Sequence, residues 1–214
     1  MCFDLDGTLI DSRPGIEASL RAALAEVLPE RVLGEGELRI GPPLEAMLRR
    51  LLPGAPSAQE AVAAAFRRHY DSVGWRSPTY PGVVEALDAL AAEGIALHVA
   101  TNKRSAPTQS IVNAPPLAGR FGLVVSPDSI APAHPTKSAA LGSLVAATGL
   151  QPASLAYVGD SDGDRQAAEA VGCPFVAVGW GYGPLTLSAQ STEFGFVETP
   201  HELPAILLSN IDRI

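Results

Sequence analysis

The sequence predicts an α/β protein whose doubly wound parallel sheet is interrupted, soon after its first strand, by an all-helical insertion. Short apolar runs at 95–100, 121–125, 155–158 and 175–178 have the length and composition of strands that are covered on both faces. Helical patterns separate the later runs, and strands that alternate with helices are typical of a parallel sheet. Before residue 79, by contrast, the periodicity is helical, and only the first residues resemble a strand.

Three amphipathic helices are expected in the insertion. The first covers 14–28 and begins at Pro14, a residue that suits the first turn of a helix. The second covers 44–52 and ends at Pro53-Gly54, and the third runs from about 58 to 70. Polar and glycine-containing residues between the first two predict a loop.

The second half of the chain supplies the remaining helices and loops. A helix follows Pro81-Gly82, and two more are expected at about 136–148 and 162–171. The proline-rich stretch 127–135 predicts a loop. Pro115-Pro116 should break any helix that precedes the third strand.

The predicted organisation is a core formed by 1–12 and 80–214, with an inserted helical domain formed by 13–79. Pro14 and the stretch 77–81 are candidate hinges between them. Only three residues precede the first carboxylate, fewer than a central parallel strand usually has. We expect either that the natural chain starts further upstream or that this strand is short.

Composition and charge argue against several classes of partner. The chain has 214 residues, 47% of them hydrophobic and 18% charged, so it can bury a core. Its net charge of −8 argues against nucleic acid, and its longest apolar stretches are far too short to span a membrane. Cys2 and Cys173 are too few for a disulfide framework, and no secretion signal opens the chain, so we expect a cytoplasmic location. The sequence predicts no oligomeric state.

The residues suited to chemistry cluster just after predicted strands. In chain order they are Asp4 and Asp6, Thr101 and Asn102, and Asp160 and Asp164. An open parallel sheet binds its ligands beyond the carboxyl ends of its strands, so these three segments should converge on one crevice. Two carboxylate clusters at one crevice suit a magnesium-assisted phosphoryl transfer.

Four segments carry a recognisable set of motifs. They are Asp4-Leu5-Asp6-Gly7-Thr8, Thr101 after its strand, Lys137 at the start of a helix, and Gly159-Asp160 followed by Asp164. In order and spacing they resemble the four motifs of the haloacid dehalogenase-like hydrolase superfamily. The resemblance covers nearly the whole chain and implies the α/β core of that superfamily.

Two further segments, Tyr80-Pro81-Gly82-Val83 and Trp180-Gly181-Tyr182-Gly183, resemble the phosphoglycolate phosphatase-like branch of the superfamily. The insertion lies where members with a C1-type cap carry it, so 13–79 is expected to be a helical cap. Gly41-Pro42-Pro43 resembles the cap loop that touches substrate in this family, although an ordinary turn between helices fits it equally well.

The resemblance implies a Mg²⁺ site and a covalent intermediate. Asp4 would be both nucleophile and metal ligand, with Asp160 as the second carboxylate ligand and the backbone carbonyl of Asp6 as the third protein ligand. Asp164 would bind a metal water or orient Lys137. It could instead cap the helix that begins there.

The same resemblance implies roles for the remaining residues. Asp6 would protonate the leaving alcohol and then activate the water that cleaves the aspartyl phosphate. Thr101, Asn102 and neighbouring backbone amides would hold phosphate oxygens, and Lys137 would neutralise developing charge. A carboxylate at position 6 favours phosphate-ester hydrolysis over dehalogenation, because a halide leaves without a proton. The expected substrate is a small phosphorylated metabolite.

Other functions stay open. Within the fold these are a pyrophosphatase, a nucleotidase, a sugar-phosphate mutase or a weakly active binding or regulatory protein. A serine esterase is a further alternative, because Gly159-Asp160-Ser161-Asp162-Gly163 fits a nucleophile elbow. Glu193 or Glu198, followed by His201, would complete its triad. The carboxylates that flank Ser161 argue against it, since they would oppose an oxyanion there.

Overall fold

A computed structural model of the protein describes residues 1–129, 133, 136–183 and 195–209. Its strands are β1 (Cys2–Phe3), β2 (His98–Ala100), β3 (Leu123–Val125), β4 (Tyr157–Gly159), β5 (Phe175–Val178) and β6 (Gly195–Val197). They form a sheet in the order β3-β2-β1-β4-β5-β6, and every neighbouring pair is parallel. This topology confirms the predicted doubly wound α/β fold.

Helices connect the strands and form the insertion. They are α1 (Arg13–Val27), α2 (Leu44–Leu51), α3 (Pro56–His69), α4 (Val83–Ala92), α5 (Ser105–Val112), α6 (Lys137–Thr148), α7 (Asp162–Val171) and α8 (Leu203–Ser209). A π-helical turn, Tyr70–Gly74, continues α3. No helix among the described residues has the length and hydropathy that crossing a membrane would require.

The sheet is covered on both faces, which explains why its strands are apolar throughout. Successive strand residues point to opposite faces. On one face, Phe3, Val99 and Val158 pack in a cluster with side chains of α4. On the other face, Cys2 and Tyr157 pack in a cluster with side chains of α6. The central strands therefore lie inside a three-layer core.

The helices α1, α2 and α3 and the π-helical turn, here called the helical layer, have an apolar cluster of their own. Leu20 and Leu24 of α1 and Val62 and Phe66 of α3 are buried in it. Trp75 packs against both this cluster and the cluster on the α4 face of the sheet. The division of the chain into a core and a movable cap stays a prediction.

The first strand is short, as one of the two expectations for it had it, with Cys2–Phe3 alone in the ladder. Several other elements differ from the sequence-based expectation. Helix α5 was not expected, yet it ends before the proline pair Pro115-Pro116, which therefore follows the helix instead of breaking it. Strand β6 and helix α8 were also missed, because three and seven residues are too few to show a periodic pattern. Within the predicted loop 127–135, residues 130–132, 134 and 135 lie outside the described residues.

Candidate active site

The ends of three adjacent strands bring the predicted site together. In β1, Phe3 lies opposite Val99 of β2 on one side and Val158 of β4 on the other. The loops that follow these strands therefore start at one edge of the sheet. One carboxylate oxygen from each of Asp4, Asp160 and Asp164 lies within 4.8 Å of the others, and all three side chains are buried.

Lys137 joins two of these carboxylates. Its Nζ lies 2.9 Å from Asp4 Oδ2 and 2.5 Å from Asp164 Oδ1. Helix α6 begins at Lys137, and the Thr136 side chain caps it by accepting a hydrogen bond from the Ala139 amide. Burial lowers the pKa of Lys137, but the carboxylates of Asp164 and Asp4 outweigh burial and raise it overall. The ammonium therefore stays charged between its two partners.

Asp164 uses both of its carboxylate oxygens within the protein. Oδ1 accepts hydrogen bonds from Lys137 Nζ at 2.5 Å and from the Tyr157 hydroxyl at 3.1 Å. Oδ2 accepts hydrogen bonds from the amide and the hydroxyl of Ser161, at 3.1 and 2.5 Å. Asp164 thus contacts Lys137 and also belongs to the capping box of α7, so the two alternatives for this residue coexist.

The structure gives the serine esterase no support. The Ser161 hydroxyl is occupied as the N-cap of α7, where it also accepts a hydrogen bond from the Asp164 amide. The His201 ring lies against Gly82, so close that a Cβ there would come within 2.8 Å of its Nε2 atom. Glu193 lies outside the described residues.

Backbone amides hold Asp160 in place. Its Oδ2 accepts hydrogen bonds from the amides of Tyr182 at 2.7 Å and Gly183 at 3.2 Å. Glycines permit this approach, since a Cβ at Gly181 would lie 2.2 Å from Asp160 Cβ, and one at Gly7 would lie 2.4 Å from Asp160 Oδ2. Burial, together with the Asp164 carboxylate, raises the pKa of Asp160 to about 6.

Asp4 differs from the other two carboxylates in its hydrogen bonding. Its Oδ1 is buried and accepts no hydrogen bond from the described residues. Burial raises the pKa of Asp4, and the Lys137 ammonium offsets only part of that effect. A buried carboxylate oxygen without a partner is costly unless a cation or a donor occupies the space beside it.

The donor set fits a divalent cation. Hard cations such as Mg²⁺ take oxygen ligands and commonly use one or two carboxylates. Among the described residues, Asp4 Oδ1 has no hydrogen-bond partner, and Asp160 is held through Oδ2 alone. The carboxylates of Asp4, Asp6, Asp160 and Asp164 outnumber the ammonium groups of Lys103 and Lys137 by two. One divalent cation would balance that excess.

Lys103 is a site residue that sequence reasoning missed. Its Nζ donates to both oxygens of Asp6, at 2.8 and 3.0 Å, and lies 4.6 Å from the centroid of the Tyr70 ring. Burial lowers the pKa of Lys103, but Asp6 and Tyr70 outweigh it and raise the pKa overall. The available signal was its position two residues after Thr101, on a loop next to the one that carries Asp6.

Thr101 and Asn102 lie where the second strand ends. Thr101 is buried, and its Oγ1 accepts a hydrogen bond from the Lys103 amide at 3.2 Å. The Asn102 side-chain amide donates to the Gly41 carbonyl at 3.0 Å. Asn102 thus contacts the loop between α1 and α2 that the sequence singled out, and its contact with a phosphate stays a prediction.

Two cavities meet between the helical layer and the sheet. One, of about 290 Å³, is lined by Asp6, Lys103 and Tyr70, and the other, of about 560 Å³, by Lys137 and Ser161. Gly41 and Asn102 line both cavities. The crevice can hold a small molecule next to Asp6 and Lys137.

Comparison with known proteins decides the family. The family described as haloacid dehalogenase-like hydrolase matches residues 1–178. The chain belongs to this family. A phosphoglycolate phosphatase from Caulobacter vibrioides is 33% identical over 219 residues, which covers 98% of this chain and 92% of that protein. One from Rhodospirillum rubrum is 36% identical over 192 residues, covering 84% of this chain and 79% of that protein.

Solved structures agree with this family. The crystal structure of a predicted phosphoglycolate phosphatase from Haemophilus somnus has a TM-score of 0.82 at 28% identity and covers 96% of each chain. Together with the family match, these relatives place the chain in the phosphoglycolate phosphatase-like branch. The protein is accordingly a phosphatase.

Proposed function

We propose that this phosphatase hydrolyses a small phosphorylated metabolite with Mg²⁺ as cofactor and Asp4 as nucleophile. The observation that carries the proposal is the buried Asp4 oxygen without a partner, beside Lys137 and next to Asp160. Asp4, Asp160 and the backbone carbonyl of Asp6 would hold the metal, and Asp164 would orient Lys137. When bound, Mg²⁺ would offset the repulsion between the Asp4 carboxylate and a phosphate dianion.

The proposed reaction has two steps, and residues of this chain act in both. In the first, an Asp4 oxygen bonds to phosphorus, the bond from phosphorus to the alcohol oxygen breaks, and Asp6 gives that oxygen its proton. In the second, Asp6 takes a proton from water, the water oxygen bonds to phosphorus, and the bond to Asp4 breaks. Lys137, Thr101 and Asn102 would stabilise the charged phosphoryl oxygens during both steps.

The curated relatives support a small phosphomonoester as substrate, because both of those described above are named phosphoglycolate phosphatase. The helical layer would act as a cap over the crevice, opening for substrate and closing to exclude water. Its separate apolar cluster and the cavities beneath it support that role. We place the reaction in the cytoplasm, which suits two buried free thiols.

A screen of phosphorylated metabolites tests the proposal. We expect release of inorganic phosphate that requires Mg²⁺ and stops when EDTA removes it. Asp4→Asn should abolish turnover, whereas Asp88→Asn should not, because Asp88 pairs with Arg120 on the surface. Undiminished turnover by Asp4→Asn, or hydrolysis that continues in the presence of EDTA, would refute the mechanism.

A further inference from the structure

The ion pair between Lys103 and Asp6 has no role in the mechanism above, although it lies inside the proposed site. Asp6 follows β1, Lys103 follows β2, and the two strands are paired neighbours. Nζ of Lys103 bonds to both oxygens of Asp6, at 2.8 and 3.0 Å. The Lys103 side chain is only 6% exposed, so it is a fixed partner and not a mobile surface lysine.

A residue of the helical layer contacts the lysine of this ion pair. Tyr70 begins the π-helical turn and is 2% exposed, and its ring lies 4.6 Å from Lys103 Nζ. The Phe66 ring stacks on the Tyr70 ring, with centroids 5.4 Å apart and planes inclined by 12°. A cation over an aromatic ring is attracted to its face, most strongly when water is excluded. Lys103 is thus held from one side by Asp6 and from the other by Tyr70.

We propose that Lys103 is a positioning residue that fixes the Asp6 carboxyl group for proton exchange with the leaving-group oxygen, and that Tyr70 holds Lys103 in that position. The inference rests on the proposed function. A carboxyl group on a short side chain can rotate, and proton transfer needs the group within hydrogen-bond reach of the reacting oxygen. Contact with both carboxylate oxygens restricts that rotation. Because Tyr70 belongs to the helical layer, Asp6 is fully positioned only when this layer covers the site.

The test compares phenyl phosphate with p-nitrophenyl phosphate, two esters of nearly the same shape. p-Nitrophenolate leaves readily without a proton, whereas phenolate needs more help from an acid. In a single turnover the release of the phenol reports the first step alone, whereas steady-state kcat also contains the second step, which is common to both esters. Lys103→Met should therefore lower the single-turnover rate of phenol release from phenyl phosphate by about 10- to 100-fold and that of p-nitrophenol release by less than about threefold. The substrate concentration that half-saturates this rate should change by less than about twofold for both esters. Lys103→Arg, which keeps the charge, should recover part of the loss.

Controls separate positioning from other effects. Arg104→Met removes the next cation of the same loop, which pairs with Asp71, and should show no preference between the two esters. Tyr70→Leu should raise the ratio of the single-turnover rate for p-nitrophenyl phosphate to that for phenyl phosphate, and Tyr70→Phe should keep this ratio at the wild-type value. Asp6→Asn should show the same preference as Lys103→Met, and adding Lys103→Met to it should raise the ratio no further.

An unchanged ratio of the two single-turnover rates in Lys103→Met and in Tyr70→Leu would overturn the inference. An unchanged rate with a raised half-saturating substrate concentration would also overturn it, because it would indicate a residue that binds substrate. If Lys103→Met does not fold, the comparison of Tyr70→Leu with Tyr70→Phe tests the inference by itself. Failure of the proposed function would look different. The unaltered protein would then hydrolyse neither ester in a Mg²⁺-dependent way, and this inference would fall with it.

Discussion

At the scale of single residues, the balance of buried charges explains why Lys137 lies between two carboxylates. Asp4, Lys137 and Asp164 form a buried chain of contacts in which one ammonium serves two carboxylates. Two ions that are buried and paired contribute little net stability, but removing one of them leaves its partner uncompensated. The lysine is therefore needed for the fold as well as for the proposed chemistry.

We expect Lys137→Gln to lower the free energy of unfolding by about 3 to 5 kcal/mol, because Asp4 and Asp164 would lose their shared cation. Urea denaturation at neutral pH measures this. Asp164→Asn in the same chain should return part of the loss, since one uncompensated charge is removed. A loss below about 1 kcal/mol, or no gain from the second substitution, would show that the ammonium is not the counter-charge.

Gly181 should control metal affinity through Asp160. An alanine Cβ at this position would overlap Asp160 Cβ at 2.2 Å and displace the carboxylate. We expect Gly181→Ala to raise the Mg²⁺ concentration needed for half-maximal activity by about tenfold or more. Gly142→Ala is the matched control, because its Cβ would meet only Val171, at 3.9 Å. Equal Mg²⁺ requirements in the two variants would contradict the account.

At the scale of secondary-structure elements, the residues at the start of α7 both cap the helix and contact the site. The capping box of α7, formed by Ser161 and Asp164, satisfies amides of the first helical turn, and Asp164 also accepts a hydrogen bond from the Lys137 ammonium. The G-x-S-x-G pattern around Ser161 follows from this geometry: the serine caps a helix, and Gly159 leaves room for Asp164, whose Cβ would lie 2.4 Å from a Cβ at that position.

Ser161→Ala separates a cap from a nucleophile. It should lower the free energy of unfolding by about 1 kcal/mol, as the loss of a helix cap does. Phosphatase activity should fall by less than about tenfold, because Asp164 keeps its contact with Lys137. Thermal denaturation and steady-state kinetics measure both effects. Complete loss of activity from a folded variant would make the hydroxyl catalytic and would contradict this interpretation.

The edge of the sheet carries a pH-dependent contact. Nδ1 of the buried His98 accepts a hydrogen bond from the Leu123 amide at 3.1 Å, between β2 and β3. Burial and the amino-terminal ammonium lower the pKa of His98. The folded protein then binds this proton less readily than the unfolded chain does. Its contribution to stability is complete above the ordinary histidine pKa of about 6.5 and is lost as the pH falls below that value.

We therefore expect the unaltered protein to lose stability relative to His98→Asn between about pH 7.5 and pH 5.5, because an asparagine amide oxygen can accept the Leu123 hydrogen bond without titrating. The raised pKa values of Asp4 and Asp160 stabilise the folded protein as the pH falls through the same range, but they do so equally in both proteins. Urea denaturation of both proteins at several pH values measures the difference in their free energies of unfolding. A difference that stays constant over this range would contradict the role given to His98.

Elements were predictable from sequence where their patterns were long. The insertion helices show three or more apolar repeats, and each predicted end lies within two residues of the observed one. The expected strand 95–100 proved to be a three-residue ladder, His98–Ala100, since an apolar run predicts burial but not which residues pair. Strand β6, with Gly195 at its start, offers no run at all.

At the scale of the whole molecule, the rule for parallel sheets accounts for most of the candidate site. Asp4, Thr101 and Asp160 each follow a strand, so a parallel order alone places them at one edge. The same rule could not predict contacts that depend on side-chain direction. The pairing of Lys103 with Asp6 and the amides of Tyr182 and Gly183 at Asp160 are such contacts.

The contact between the helical layer and the sheet also lay beyond the sequence. Asn102 donates to the Gly41 carbonyl, and the Tyr70 ring lies against Lys103, so the cavities are lined by residues that are distant along the chain. No local pattern encodes such pairs. They arise from the position of the helical layer, which the sequence predicted as a cap without predicting its individual contacts.

The measurement that tests the central claim most directly is chemical trapping of the phosphorylated enzyme. The protein would be mixed with Mg²⁺ and a substrate that it hydrolyses, and the reaction would be quenched in acid. Reduction with borohydride then converts an aspartyl phosphate to homoserine. Peptide mass spectrometry should then find the conversion at Asp4, and none in Asp4→Asn. Steady turnover with no conversion at Asp4, or conversion at another carboxylate, would contradict the account.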